Sequence, residues 1–225
     1  MGERCIMAQG LKLQHSLGKP DIISHRGNLD GPNKDRENHP DYLEAALKAG
    51  YGIEFDVWYE NGQWALGHDE PKYAVTFDYL LNLGTKGEGY NHTRYPRTWI
   101  HLKNLGAVQE MISINSYGRS GRTKEEYQDN FSGRQIAMRL NYFWHQEDDI
   151  TITNHGWIWA HPKVEIIPVG SAWVASELLG VRKSGVYYDF EHPNWTRAAY
   201  VCLDYPNSVR DLFTKLRQSS EYFAR

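Results

Sequence analysis

The sequence predicts an α/β fold organised around a parallel sheet. Short apolar runs of strand length alternate with amphipathic segments of helix length along most of the 225 residues. Clusters of Gly, Pro, Asn and Asp separate them. Hydrophobic residues make up 40% of the chain, enough for a packed core and too many for a disordered protein. The length allows one large domain or two small ones, and α/β barrels of about 250 residues often form a single domain. The alternation alone does not separate a closed barrel from an open sheet.

Residues 1–19 lack periodicity and read as an N-terminal extension or lead-in segment, with a single domain over 20–225. Asp21-Ile22-Ile23-Ser24 is a short apolar run ending at His25, as in a buried strand. Gly27 to Asn38 has loop composition. A helix follows, capped by Asn38 or His39, with Pro40 in its first turn and Asp41 and Glu44 at its positive end. Leu43, Ala46 and Leu47 share one face, and Gly50 stops it. Tyr51 to Tyr59 reads as a strand, Asn61-Gly62 as a hairpin turn, and Gln63 to Leu66 as the returning strand that delivers His68. Further helices are expected at Phe77 to Leu83, Ala107 to Ile114 and Val209 to Arg217. Strands are expected at Thr98 to Lys103, Asn141 to His145, Gly156 to Ala160, Val164 to Val169, Val186 to Phe190 and Tyr200 to Leu203. Asp148 to Thr153 reads as a connection, and Tyr117 to Arg134 as a long polar loop.

Composition excludes several functions. With 25 basic and 28 acidic residues the net charge is −3, without the basic excess of a general nucleic-acid binder. Cys5 and Cys202 are the only cysteines and lie far apart, so neither a disulfide framework nor a cysteine zinc site is expected. No apolar run near the start suits a signal peptide, and none approaches the ~18 residues of a membrane helix. The expectation is a soluble cytoplasmic protein with no nucleic-acid partner and no integral membrane segment. The 8 Trp and 15 Tyr residues are expected mainly in packing.

The chemistry gathers in three segments: His25-Arg26-Gly27, Glu54-Phe55-Asp56 and Gly67-His68-Asp69. Glu54 and Asp56 are two apart on a strand, so both carboxylates meet on one face, where their repulsion calls for a cation or a proton. Ile53, Phe55 and Val57 give that strand an apolar opposite face. His25 and His68 each follow a strand, and strand C-terminal ends are where α/β enzymes place chemistry. Histidines move protons near neutral pH and an arginine neutralises phosphate. Together these are parts suited to cleaving a phosphate ester.

In order, H-R-G, then E-N-H-P opening a helix, E-F-D-V-W, and N-G-Q-W-A-L-G-H-D resemble the glycerophosphodiester phosphodiesterase family, within the phosphatidylinositol phospholipase C-like phosphodiesterases. The agreement runs over residues 22–71. Lys103 matches the lysine of the family's E-x-K strand, and Leu203-Asp204-Tyr205-Pro206 is similar to its T-D-x-P ending. The resemblance implies a TIM (β/α)8 barrel with its site at the C-terminal strand ends; at this length, the barrel is expected to be short or irregular between residues 115 and 200. It implies His25 and His68 as general acid/base pair, Glu54 and Asp56 on a divalent metal, and Arg26 and Lys103 on the phosphate.

His101 stands where the family has a third metal carboxylate. Two carboxylates favour Mg or Ca, whereas a ligating His101 would move the preference toward Mn or Zn. His101 could instead contact substrate. His145, at a strand end, is a further substrate-binding candidate. The expected activity is metal-dependent hydrolysis of a small phosphodiester. The alternatives are a phospholipase-type transesterase that releases a cyclic phosphate, and a catalytically silent barrel that binds a phosphate ligand.

Overall fold

Strands buried on both faces build a curled, mainly parallel sheet with helices against its outer face. The computed structural model describes residues 20–85, 96–117, 140–175, 180–182, 185–187 and 192–223. The 1–19 segment and most of the loop expected at 117–134 lie outside them. The parallel strands are β1 (Asp21–His25), β2 (Gly52–Glu60), β5 (Thr98–Leu102), β6 (Tyr142–Phe143), β8 (Ile158–Ala160), β9 (Ser171–Val174) and β12 (Ala198–Leu203). They lie side by side in the order β6-β5-β2-β1-β12-β9-β8. Strands β3 (Gln63–Leu66) and β4 (Tyr73–Val75) extend β2 as an antiparallel meander, and β7 (Ile150–Ile152) runs antiparallel to β8. A separate hairpin pairs β10 (Gly180–Arg182) with β11 (Gly185–Tyr187).

The two faces of the sheet bury different cores. On the outer face, Ile53, Phe55 and Val57 of β2 and Ile100 and Leu102 of β5 pack on three helices. These are α1 (Pro40–Lys48) through Leu43, Ala46 and Leu47, α2 (Phe77–Thr85) through Leu80 and Leu83, and α3 (Leu105–Tyr117) through Ala107 and Met111. Val201 and Leu203 of β12 meet Trp195 of the short α4 (Asn194–Arg197) and Val209 of α5 (Pro206–Phe223). The inner face collects Ile23, Trp99, Phe143, Trp159, Ala172, Val174, Tyr200 and Cys202. These come from strands that are not all neighbours: Trp99 of β5 lies 5.4 Å from Trp159 of β8, ring centre to ring centre. Such contact requires the sheet to curl on itself. At the open end of the order Asn154 bridges the gap, its side chain accepting from Tyr142 N–H at 2.8 Å and donating to Leu140 O at 3.0 Å, while its own N–H donates to Tyr142 O at 2.9 Å.

Most expected elements form where the pattern places them. The Asn61-Gly62 turn takes positive φ at both residues, 52° and 79°, as a tight two-residue hairpin requires. His39 is the cap of α1, its Nδ1 accepting from Asp41 N–H at 3.2 Å. Two expectations need correction. Val164 to Val169 is not a strand but a run of turns and bends. Pro168 has no N–H for a ladder, and Ile167 N–H goes to Asn194 Oδ1 instead. The strand comes later, at β9, whose four residues are all buried, so period-2 alternation gave no signal. Asp148 to Thr153, read as a connection, contains β7.

Trp99 is fully buried and its ring meets Trp157, Trp159 and Tyr200. Trp99→Ala is expected to cost about 3–5 kcal/mol of stability, read by urea denaturation. A loss under about 1 kcal/mol would mean that the inner face is not a packed core.

Candidate functional site

The inner face carries its polar residues at one end, above the aromatic floor. His25 ends β1, Glu54 and Asp56 follow one another with period 2 along β2, and His101 lies on β5 with Lys103 just beyond. His145 is two residues past β6 and Asp204 one past β12. Sheet register sets His25 beside Glu54, and Asp56 beside His101. This is the C-terminal end of the parallel strands.

Asp56 is the most connected of these side chains. Its Oδ2 accepts from Asn38 Nδ2 at 2.9 Å and lies 3.2 Å from Arg26 Nε. Its Oδ1 lies 3.0 Å from His101 Nδ1 and 3.3 Å from Lys103 Nζ. Burial alone would raise its pKa, but the adjacent His101 imidazole and the Lys103 and Arg26 charges hold it well below the usual carboxylate range. Glu54 is pushed the other way, first by burial and then by the neighbouring Asp56 charge. The segment between β1 and α1 supplies the second layer. Arg26 and Gly27 both take positive φ, 52° and 85°, and Tyr42 Cδ1 lies only 3.0 Å from where a Cβ on Gly27 would stand. Arg26 N–H donates to Glu54 O, and Asn38 N–H to Arg26 O. Glu37 takes the guanidinium Nη1 of Arg26 at 3.1 Å.

His25 is oriented by Asp204. Its Nδ1 lies 2.8 Å from Asp204 Oδ1, which also accepts from Asn28 Nδ2 at 2.8 Å. An ionised carboxylate only accepts, so Nδ1 carries the proton and Nε2 faces Glu54 Oε2, 3.9 Å away. Burial pulls the His25 pKa down, yet the Asp204 bond and the Glu54 charge outweigh it and the net shift is upward. His68 shifts downward: burial dominates, with the Arg26 and Lys103 charges adding to it against Asp56. Its Nδ1 lies 2.6 Å from Asp69 Oδ1, at the exposed edge of the site. His145 stacks on His101 at 4.5 Å with the rings 2° from parallel. Burial, then the His101 and Lys103 charges, lowers its pKa to about 4.

Among the described residues, Glu54, Asp56 and His101 each offer one donor atom within 4.8 Å of the others. Glu54 Oε2, Asp56 Oδ1 and His101 Nε2 are buried without an aligned hydrogen-bond partner. Two carboxylates and an imidazole grouped in this way fit a divalent cation, and such a charge would relieve the repulsion between the acids. The structure thus brings His25, Arg26, Glu54, Asp56, His101, Lys103 and His145 together and sets His68 at their edge. Arg26 and Lys103 both reach Asp56, so their charges serve that carboxylate. Sequence reasoning did not assign Glu37, Asn38 or Asn28, nor pair Asp204 with His25. Two signals pointed to them, the polar Glu37-Asn38 step before the helix and the acid at the end of β12.

No family model matches the sequence, and no curated protein matches it. A solved structure of a glycerophosphodiester phosphodiesterase from Parabacteroides distasonis superposes with a TM-score of 0.47 at 11% identity, covering 89% of this chain and 100% of that one.

Asp204→Asn is expected to lower the His25 pKa, read by NMR titration of the imidazole; an unchanged value would detach His25 from Asp204. The linked stability follows in sign. His25, raised on folding, contributes fully below its unfolded pKa of about 6.5 and loses that contribution as pH rises through the folded value. Asp204, lowered on folding, contributes above about 3.9 and loses it as pH falls through the folded value. The destabilisation by Asp204→Asn is therefore expected to be largest near pH 5, measured as a difference in Tm across pH.

Proposed function

We propose that this protein is a metal-dependent phosphodiester hydrolase of the glycerophosphodiesterase-like kind, on a (β/α)8-type barrel shortened in its middle strands. The observation that carries this reading is the convergence at one end of the parallel strands of His25, Arg26, Glu54, Asp56 and Lys103, in the order that resembles that family, with His101 beside them. The expected substrate is a small phosphodiester rather than nucleic acid, in keeping with the net charge of −3.

Glu54, Asp56 and His101 would hold the ion. When bound, a divalent cation stabilises charge on the nonbridging phosphate oxygens and lowers the pKa of a hydroxyl. The chain's own residues supply the proton traffic. His25, biased toward its protonated form by Asp204, suits the general acid that delivers a proton from Nε2 to the leaving alkoxide. His68, biased toward its neutral form, suits the base that takes the proton of the attacking water or substrate hydroxyl. Opposite shifts in two imidazoles of one site divide acid from base. Lys103 keeps Asp56 ionised and adds positive charge beside the phosphate.

His25→Ala and His68→Ala are each expected to lower kcat by about 10²–10⁴ on a glycerophosphodiester or an aryl phosphodiester. Turnover unchanged in both, or absent in the wild type with every divalent metal, would remove the hydrolase reading. The profile of kcat/KM against pH is expected to be bell-shaped. Its rising limb, from His68 losing its proton, lies below the ordinary imidazole pKa, and its falling limb, from His25, lies above it. Phosphorus NMR of the product distinguishes a monoester from a cyclic phosphate.

A further inference from the structure

We infer that the Glu54, Asp56 and His101 site selects a transition metal of the Mn-to-Zn series over Mg or Ca, which deepens the phosphodiesterase reading and rests on it for the ion's task. Three observations carry this. The first is the donor set itself, since Mg and Ca are held by oxygen ligands, whereas an imidazole nitrogen favours the later divalent metals. Affinity for hard cations also rises with the number of ligating charges. Among the described residues two carboxylates serve here, and Lys103 Nζ, 3.3 Å from Asp56 Oδ1, offsets one of them.

The second is that the His101 ring is built into place rather than incidental to the wall. Its Nδ1 lies 3.0 Å from Asp56 Oδ1, and its plane lies within 10° of the rings of Phe143 and His145, at centre distances of 5.1 and 4.5 Å. The stacking fixes the ring orientation and sets its Nδ1 edge against Asp56. The third is the absence of another partner for the atoms concerned. Among the described residues, neither Oε2 of Glu54, 3% exposed, nor Oδ1 of the fully buried Asp56 has an aligned hydrogen-bond partner. Unpaired buried polar atoms are costly, and two of them on neighbouring carboxylates of one strand face indicate a ligand.

The test is metal binding to chelator-treated full-length protein, titrated calorimetrically with Zn, Mn, Mg and Ca chlorides. Zn and Mn are expected to bind at least about tenfold more tightly than Mg and Ca. In His101→Glu, which restores an all-oxygen set, the Zn-to-Mg affinity ratio is expected to fall by about tenfold or more. Co bound to the wild type is expected to give a visible absorption spectrum that changes in His101→Gln. The inference is overturned if Mg or Ca binds the wild type as tightly as Zn, if no metal binds, or if the ratio is unchanged in His101→Glu. Tight Mg binding with phosphodiester turnover would sink this inference and leave the hydrolase reading standing. Zn selectivity without turnover would do the reverse.

Discussion

A single ionised carboxylate organises the polar end of this molecule. Asp56 is fully buried, and a buried charge is tolerated only where opposite charges and hydrogen bonds surround it. Its partners arrive from three directions in the chain: Arg26 from the turn after β1, Asn38 from the residue before the α1 cap, and His101 and Lys103 from β5. Asn38 grips it twice, since its Oδ1 also accepts the Asp56 N–H at 2.9 Å. The same carboxylate therefore fixes the turn that carries Arg26 and Gly27, the entry into α1, and the register of β5 against β2.

Around that fixed charge the other titratable groups are sorted by environment. Glu54 and Asp56 share a strand face, yet one is raised by burial and the other lowered by its cations. His25 and His68 divide in the same way, because Asp204 reaches one and only an exposed aspartate reaches the other. Two acids and two imidazoles thereby acquire four distinct tendencies without any change of residue type. Holding an ion and moving protons both need such differences.

Much of this was legible in the sequence where a local rule applies. The period of two along β2 put Glu54 and Asp56 on one face and Ile53, Phe55 and Val57 on the other, and the Asn61-Gly62 turn announced its hairpin. Rules of this kind stop at contacts between distant segments. His25 and Asp204 are 179 residues apart, and no spacing encodes their bond. Asn38 looked like a helix cap because cap and carboxylate clamp use the same side chain, and His39 took the cap instead. The later strands escaped for other reasons. β9 is buried on both faces and so shows no alternation, while Ile166, Ile167 and Val169 imitate a strand around a proline that forbids one.

The Asn154 bridge bears on solubility as much as on shape. β6 is only two residues long, and one of its flanks would otherwise present bare peptide groups to any passing strand. Asn154 occupies both the N–H and the carbonyl of Tyr142 on that flank, and Thr151 Oγ1 donates to the Trp144 carbonyl at 3.2 Å. The side chain and N–H of Asn154 and the Thr151 hydroxyl thus do for these peptide groups what a neighbouring strand does elsewhere, and a second chain finds them already occupied.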